Sequence, residues 1–491
     1  MMKILGKFGF KRLGALALAA AILGGPLAAP MHAHAQAASS AAAASDAASS
    51  VSSAPAAAAA PAAAVNPLDA THDYSKDSAN SGDTAWMLTS SVLVLMMTIP
   101  GLALFYGGMV RKKNILATLA QSFGATALIT VLWMVIGYSI AFTGDSPYIG
   151  SLKYLFLAPL NADINLASPL APTIPETVYM FFQMTFAIIT PALIAGALAD
   201  RMKYSAFLLF MGAWLLLVYC PVAHWVWSAK GFLGAGGLGA LDFAGGSVVH
   251  LNAGTAGLVT AIMLGKRKGL GTENFAPYNP AYAIIGASLL WVGWFGFNAG
   301  SAAEANNGQA GMAAAATQIA TAAATLAWMA MEWVIAKKPT VIGMASGAVA
   351  GLVAITPASG FVNPEGALII GVAAGVVCYF AAVHLKKMLG FYDDALDCWG
   401  VHGIGGALGA ILTGLFASNK INSLAHGALL DGNWKQMGLQ FADVGIVFVY
   451  CGVVTFIILA ALKYTIGIRV SEDVEVEGLD INLHGEVIQG N

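Results

Sequence analysis

The sequence predicts an all-α polytopic membrane protein of about eleven transmembrane helices, and three observations predict it. Hydrophobic residues make up 58% of the 491-residue chain and charged residues only 10%, against about 25% charged in a soluble domain. From Thr84 onward, long apolar stretches alternate with short polar ones. Basic residues then gather in every second polar connection. A chain this poor in charge cannot cover a water-facing surface, so most of it faces lipid or itself. A net charge of −2 points to no nucleic acid.

The N-terminus reads separately. Lys3, Lys7, Lys11 and Arg12 precede an apolar run from Leu13 to Leu23, and small residues follow at Ala33, Ala35 and Ala37. That order is the layout of a cleaved secretory signal peptide, expected over residues 1–37. Residues 38–80, rich in Ala, Ser and Pro, read as a disordered linker. The transmembrane domain is expected over 81–468 and a cytoplasmic tail over 469–491.

The apolar stretches lie at 84–108, 115–143, 176–199, 204–227, 246–265, 281–300, 310–336, 340–357, 366–385, 400–418 and 440–467. Each is read as crossing a hydrocarbon core of about 30 Å. A helix satisfies its own backbone in lipid, and runs that are continuous rather than alternating exclude a strand barrel. Basic clusters fall at Arg111-Lys112-Lys113, Arg201/Lys203, Lys266-Arg267-Lys268, Lys337-Lys338, Lys386-Lys387 and Lys463/Arg469. The positive-inside rule makes that set cytoplasmic, with the N-terminus outside and the C-terminus inside. A cleaved signal peptide predicts the same outside N-terminus. Glycines spaced by four (Gly343/Gly347/Gly351, Gly371/Gly375, Gly405/Gly409) read as helix-packing seams. Cys220, Cys378, Cys398 and Cys451 form no CxxC pair, so neither a disulfide framework nor a zinc site is read.

Ionisable residues inside apolar spans are costly and mark function. Glu332, His384 and Asp443 lie near span ends, where snorkelling accounts for them. His250 and His402 do not. Their segments, DFAGGSVVHLNAGTAGLV from Asp242 and DCWGVHGIGGALGAILTG from Asp397, both run Asp, Gly, Val-His and then a small-residue helix. They fall in the fifth and tenth spans, as expected of two inverted five-span halves whose substrate path lies at the repeat interface. Each Asp stands at a helix entrance, where it can cap backbone N–H groups. Neutral imidazole both donates and accepts, so two in contact can pass a proton. No HExxH motif, GxSxG elbow or paired catalytic carboxylates point to an enzyme, and no cofactor is implied.

At these residues the sequence resembles the Amt/Mep/Rh ammonium transporter family, over roughly 84–485. The motifs are PGLALFYGGMVRKKN, DFAGGSVVH, GWFGFNAGSA, ITPASGFV, DCWGVHGIGG and GLDINLHGE, in that order. The resemblance implies an eleven-span bacterial Amt-type protomer in the inner membrane, two inverted halves plus a final helix, assembled as a homotrimer. It implies an outer ammonium or methylammonium site at Trp214, Ser301 and Phe186, and a gate of Phe186 on Phe297. It places the pore and proton relay at His250 and His402, with Trp294, Thr356, Asp242 and Asp397 lining or supporting the pore. It also implies docking of a PII-type nitrogen regulator on the cytoplasmic face. An ammonium sensor and an Rh-like NH3/CO2 channel are the alternatives. Asp200 stands where Glu is expected, and Trp399 where Phe is expected.

Overall fold

The computed structural model describes residues 79–488, all within one unit, Ala64–Asn491. The expected signal peptide, most of the linker and the last three residues of the tail lie outside the described residues. Eleven helices follow in order. They are α1 Ser81–Met109, α2 Lys112–Phe142, α3 Glu176–Leu198, α4 Tyr204–Trp227, α5 Gly246–Leu264, α6 Pro280–Gly300, α7 Gln309–Ala336, α8 Val341–Ile355, α9 Pro364–Leu389, α10 Trp399–Phe416 and α11 Trp434–Thr465. All but α8 are long and apolar enough to cross a membrane. The short helix α12, Glu472–Glu477, lies in the tail. A small antiparallel hairpin, β1 Ala167–Ser168 with β2 Ala171–Pro175, sits between α2 and α3.

The eighth stretch is shorter than the sequence suggests. Its 15 residues rise about 22 Å at 1.5 Å each. The chain then turns, with Ala358 N–H bonded to Ile355 O and Phe361 N–H to Ala358 O. Local sequence explains the helix starts. Asn279, Thr340, Asn363 and Asn433 each accept a backbone N–H from the first turn of α6, α8, α9 and α11. Pro280 and Pro364 follow at the position that lacks an N–H partner anyway. Glu332 does not snorkel: its carboxylate accepts the Thr340 N–H (2.6 Å) and hydroxyl (3.0 Å), joining the end of α7 to the start of α8.

Hydrogen bonds tie the connections into two sets. In one, the buried Asp200 carboxylate takes Arg111 (3.2 Å), Asn114 (2.5 Å) and Arg267 (3.5 Å). Arg267 also makes a two-pronged pair with Asp393 (2.9 and 3.0 Å), and Arg201 donates to the carbonyls of Ala197, Ala199 and Asp393. The tail closes on the same set. Arg469 bonds Glu475 and the Leu264 carbonyl, and Asp480 accepts Leu116 N–H (3.1 Å) and Ala117 N–H (2.8 Å) at the start of α2. The acidic tail is therefore docked through Glu475 and Asp480, which are buried. In the other set, Asn80 N–H bonds Thr173 O, Phe232 N–H bonds Pro147 O, Phe243 N–H bonds Pro357 O and Ser418 N–H bonds Phe361 O. Ala305 N–H reaches Asp83 (2.8 Å) at the start of α1.

Candidate functional site

The site is built where α5 meets α10. Each helix opens on a wide π-type turn, Gly246–Leu251 in α5 and Trp399–Gly403 in α10, a conformation that recurs at functional positions. His250 and His402 lie in these turns, both buried. Contacts are reciprocal: the body of α5 packs on the turn of His402, and the body of α10 packs on the turn of His250. Glycine permits this close approach. Gly254, four residues after His250, sits so that a Cβ would lie 2.2 Å from Gly403 N and 2.3 Å from its Cα. Gly406, four residues after His402, faces Gly246 O and Leu251 N, both 2.7 Å from a Cβ placed there.

The result is an imidazole pair with Nδ1···Nδ1 at 3.3 Å and ring centroids 5.4 Å apart. Two Nδ1 atoms can bond only if one carries the proton and the other offers a lone pair. The two rings are therefore different tautomers, with one proton between them. The Nε2 of His250 is buried without a partner among the described residues. Aromatic rings continue the column from His250: Trp294 at 5.3 Å, Phe297 at 5.8 Å, then Phe186 stacked on Phe297 at 4.1 Å. Trp294 Nε1 donates to Thr356 Oγ1 at 2.9 Å, which fixes the indole. Ser301 lies one turn beyond Phe297, its hydroxyl on the Phe297 carbonyl at 2.8 Å, and stays partly exposed.

The Asp242 carboxylate fastens the α5 turn. It accepts N–H groups from Gly245 (2.8 Å), Gly246 (2.6 Å), Ser247 (2.9 Å) and Val248 (3.1 Å), and the Ser247 hydroxyl (2.8 Å). A carboxylate at a helix N-terminus also complements the helix dipole.

Two sequence assignments are corrected here. Asp397 is not the matching cap on α10; it pairs with Lys386. Asp394 fills that role, accepting Cys398 N–H (3.0 Å) and Trp399 N–H (2.7 Å). The signal was present in the spacing, since Asp242 and Asp394 both stand eight residues before their histidine. Burial, countered by the Lys386 ammonium and reinforced by the Asp397 charge, pushes the Asp394 carboxyl up to about 6. Trp214 is not at the outer aromatic site either. It is fully buried and donates to Thr455 on α11 at 3.0 Å. It precedes Trp227 by thirteen positions, or about 20 Å along the helix axis. Trp227 is the indole against the phenylalanine stack: its ring meets Phe186 edge-on at 5.8 Å and its Nε1 donates to the Asp242 carbonyl. Trp399 turns towards Phe448 on α11 at 5.9 Å.

A Gly254→Ala variant is expected to disturb this geometry selectively. The added methyl meets backbone, which yields less readily than a side chain, and forces α5 and α10 apart. Overpacking of this kind costs about 1–3 kcal/mol, so the variant should fold. Its transport should fall at least as far as in a histidine variant, checked by uptake into proteoliposomes. Unchanged uptake would show that the close approach does not position the pair.

Comparisons with known proteins agree with this geometry. The family model described as Ammonium Transporter Family matches residues 85–488. The chain is 48% identical over 405 residues to the ammonium transporter of Bacillus subtilis, covering 82% of this chain and 98% of that protein. It is equally 48% identical over 417 residues to the ammonium transporter of Aquifex aeolicus, covering 84% and 94%. Among solved structures, Candida albicans Mep2 superposes with a TM-score of 0.75 at 35% identity, covering 82% of this chain and 89% of that one. With its fold, its paired histidines and these matches together, the chain belongs to the ammonium transporter family.

Proposed function

We propose that the protein conducts ammonium by splitting its proton from ammonia inside the membrane. NH4+ is recruited by Trp227, Phe186 and Ser301, loses its proton at the Phe186–Phe297 gate, and crosses as NH3 past His250 and His402. The observation that carries this reading is the imidazole pair, Nδ1 to Nδ1 at 3.3 Å, with His250 5.8 Å from the stacked phenylalanines. A cation over aromatic faces gains up to ~2 kcal/mol when desolvated, and Ser301 can accept a hydrogen bond that ammonium donates and potassium cannot. Below the gate the next groups are the Trp294 indole and the two imidazoles, and a bare cation at that depth is costly. Ammonia carries both a lone pair and N–H groups, so it can satisfy the unpartnered Nε2 of His250 in passing. The shared proton of the pair supports a relay beside the ammonia.

Trp227→Leu should raise the KM for methylammonium by up to about thirtyfold, the factor that ~2 kcal/mol represents. Trp214→Leu should leave it within about twofold, because that indole serves α4–α11 packing. Equal effects would undo the reassignment. The conduction reading itself is tested by current recording on proteoliposomes after an ammonium pulse, with potassium as the control ion.

For topology we propose eleven crossings, two inverted halves plus α11, with the N-terminus outside. Parity supports it. Arg267, between α5 and α6, pairs with Asp393, between α9 and α10. Those connections share an end only if four helices separate them, so short α8 must traverse as well. The reciprocal α5–α10 contacts support the inverted repeat. The cleaved leader over 1–37, the linker over 38–80, inner-membrane residence, the homotrimer and a PII-type partner on the cytoplasmic face extend the family resemblance.

A further inference from the structure

Asp443 has no part in the passage proposed above. Its place near the end of an apolar stretch predicts snorkelling, yet its side chain is fully buried. Neither carboxyl oxygen has a hydrogen-bond partner among the described residues. A buried charge is paired or else neutralised, so an ionised Asp443 is not tenable here. Its surroundings explain the missing donors. α11 packs on α10 and on the turn Gly246–Leu251. One turn before Asp443, Gln440 locks the register, accepting Leu241 N–H at 2.7 Å and donating to Leu241 O at 2.8 Å. Two turns after Asp443, Cys451 reaches the Asn252 carbonyl at 3.1 Å, and these two contacts bracket Asp443 against the turn that carries Ser247 and is capped by Asp242. Asp242 takes four N–H groups and the Ser247 hydroxyl. The negative charge therefore belongs to Asp242, and the acid without donors must bring a proton of its own.

We propose that Asp443 carries a proton in the resting protein next to the ionised Asp242, so that the two carboxyls behind the outer gate hold a single proton between them. The pair then bears one negative charge rather than two. Trp227, held by the Asp242 carbonyl, presents the arriving cation to that charge. Loss of the single proton on raising the outside pH doubles the charge and strengthens attraction for ammonium. Of the other titratable groups on the packed elements, Asp431 accepts Ala428 N–H, Tyr204 donates to the Ala120 carbonyl and Tyr219 is buried. His250 follows Ser247 by three residues on α5 and is engaged by His402. His224 of α4 is held by the Ala141 and Ser146 carbonyls. The α10 segment Ile404–Phe416 brings no charged residue.

The pair is tested by infrared spectroscopy of the full-length protein in lipid, with the aspartate carboxyls carbon-13 labelled. At neutral pH a protonated-acid carbonyl band that moves with the label is expected, and Asp443→Asn should remove it. No such band in the wild type, or a band that persists in Asp443→Asn, overturns the proposal. Should Asp443→Asn fail to insert, Asp443→Glu, which carries no aspartate label at that position, takes its place and should likewise lose the band. The second arm measures methylammonium currents against outside pH and rests on the conduction reading. The wild-type KM should fall by about threefold as the pair loses its proton, while Asp443→Asn, which cannot ionise, stays flat. A variant that tracks the wild type overturns the pair's role. Absence of any wild-type current would instead sink the conduction reading and leave the infrared result standing.

Discussion

Replacing His250 with alanine should cut the ammonium-evoked charge movement at least tenfold while leaving the protein folded. A tenfold change needs only ~1.4 kcal/mol of added barrier. The imidazole provides more than that in several ways. It stacks between Trp294 and His402, presents an open Nε2 to the passage and holds half of a shared proton. Alanine removes the proton path and leaves an apolar void. Charge can then cross only with a bare cation, at the cost of an ion in lipid-depth surroundings. His402→Ala should behave alike, and the double variant should be no worse than either alone, since the rings act as a unit. Current recording and uptake, measured on the same proteoliposomes, give the test. Undiminished currents in both single variants would exclude the relay.

Asp242→Ala should be the most destabilising single change at the site. Five donors converge on that carboxylate, all buried, and alanine leaves them without an acceptor. Hydrogen bonds to a charged group contribute about 1.5–3 kcal/mol each, and unsatisfied buried donors add their desolvation cost. Some relaxation is available, so a net loss of about 3–5 kcal/mol is expected, read as a lowered midpoint in detergent-based denaturation. Asp242→Asn, which retains an accepting oxygen, should recover part of it. If the alanine variant unfolds with the wild type, the clamp is not what holds the turn.

Some of this was legible in the chain and some was not. His250 and His402 stood out because imidazoles are rare in apolar stretches and because the Asp-Gly-Val-His pattern recurs after five spans. The stack of Phe186 on Phe297 followed from motifs; Trp294 and Thr356, named separately for the pore lining, turned out to be joined by a hydrogen bond. Trp214 misled, because an aromatic in an apolar helix gives no sign of its depth; only the end of α4 at Trp227 sets which indole reaches Phe186. Asp397 misled because it is nearer to the histidine in sequence, while the cap requires the eight-residue reach that Asp394 has. The length of α8 escaped the reading because hydropathy continues through Thr356 where the backbone turns. The docking of Asp480 onto the start of α2, 363 residues away from Ala117, has no local signature at all.

The reciprocal seating of the two histidines also constrains how the protein is made. The partners are 152 residues apart in sequence, and each one's turn is walled by the other's helix. A nascent chain that has inserted only its first five helices therefore holds His250 and the polar Asp242 turn without their lid, exposed to lipid or translocon. Long-range closure of this kind is slow compared with local helix formation. The amino-terminal half is thus an assembly intermediate that waits for α10 and α11, and truncations ending before Trp399 should be cleared by membrane proteolysis rather than persist as half-pores.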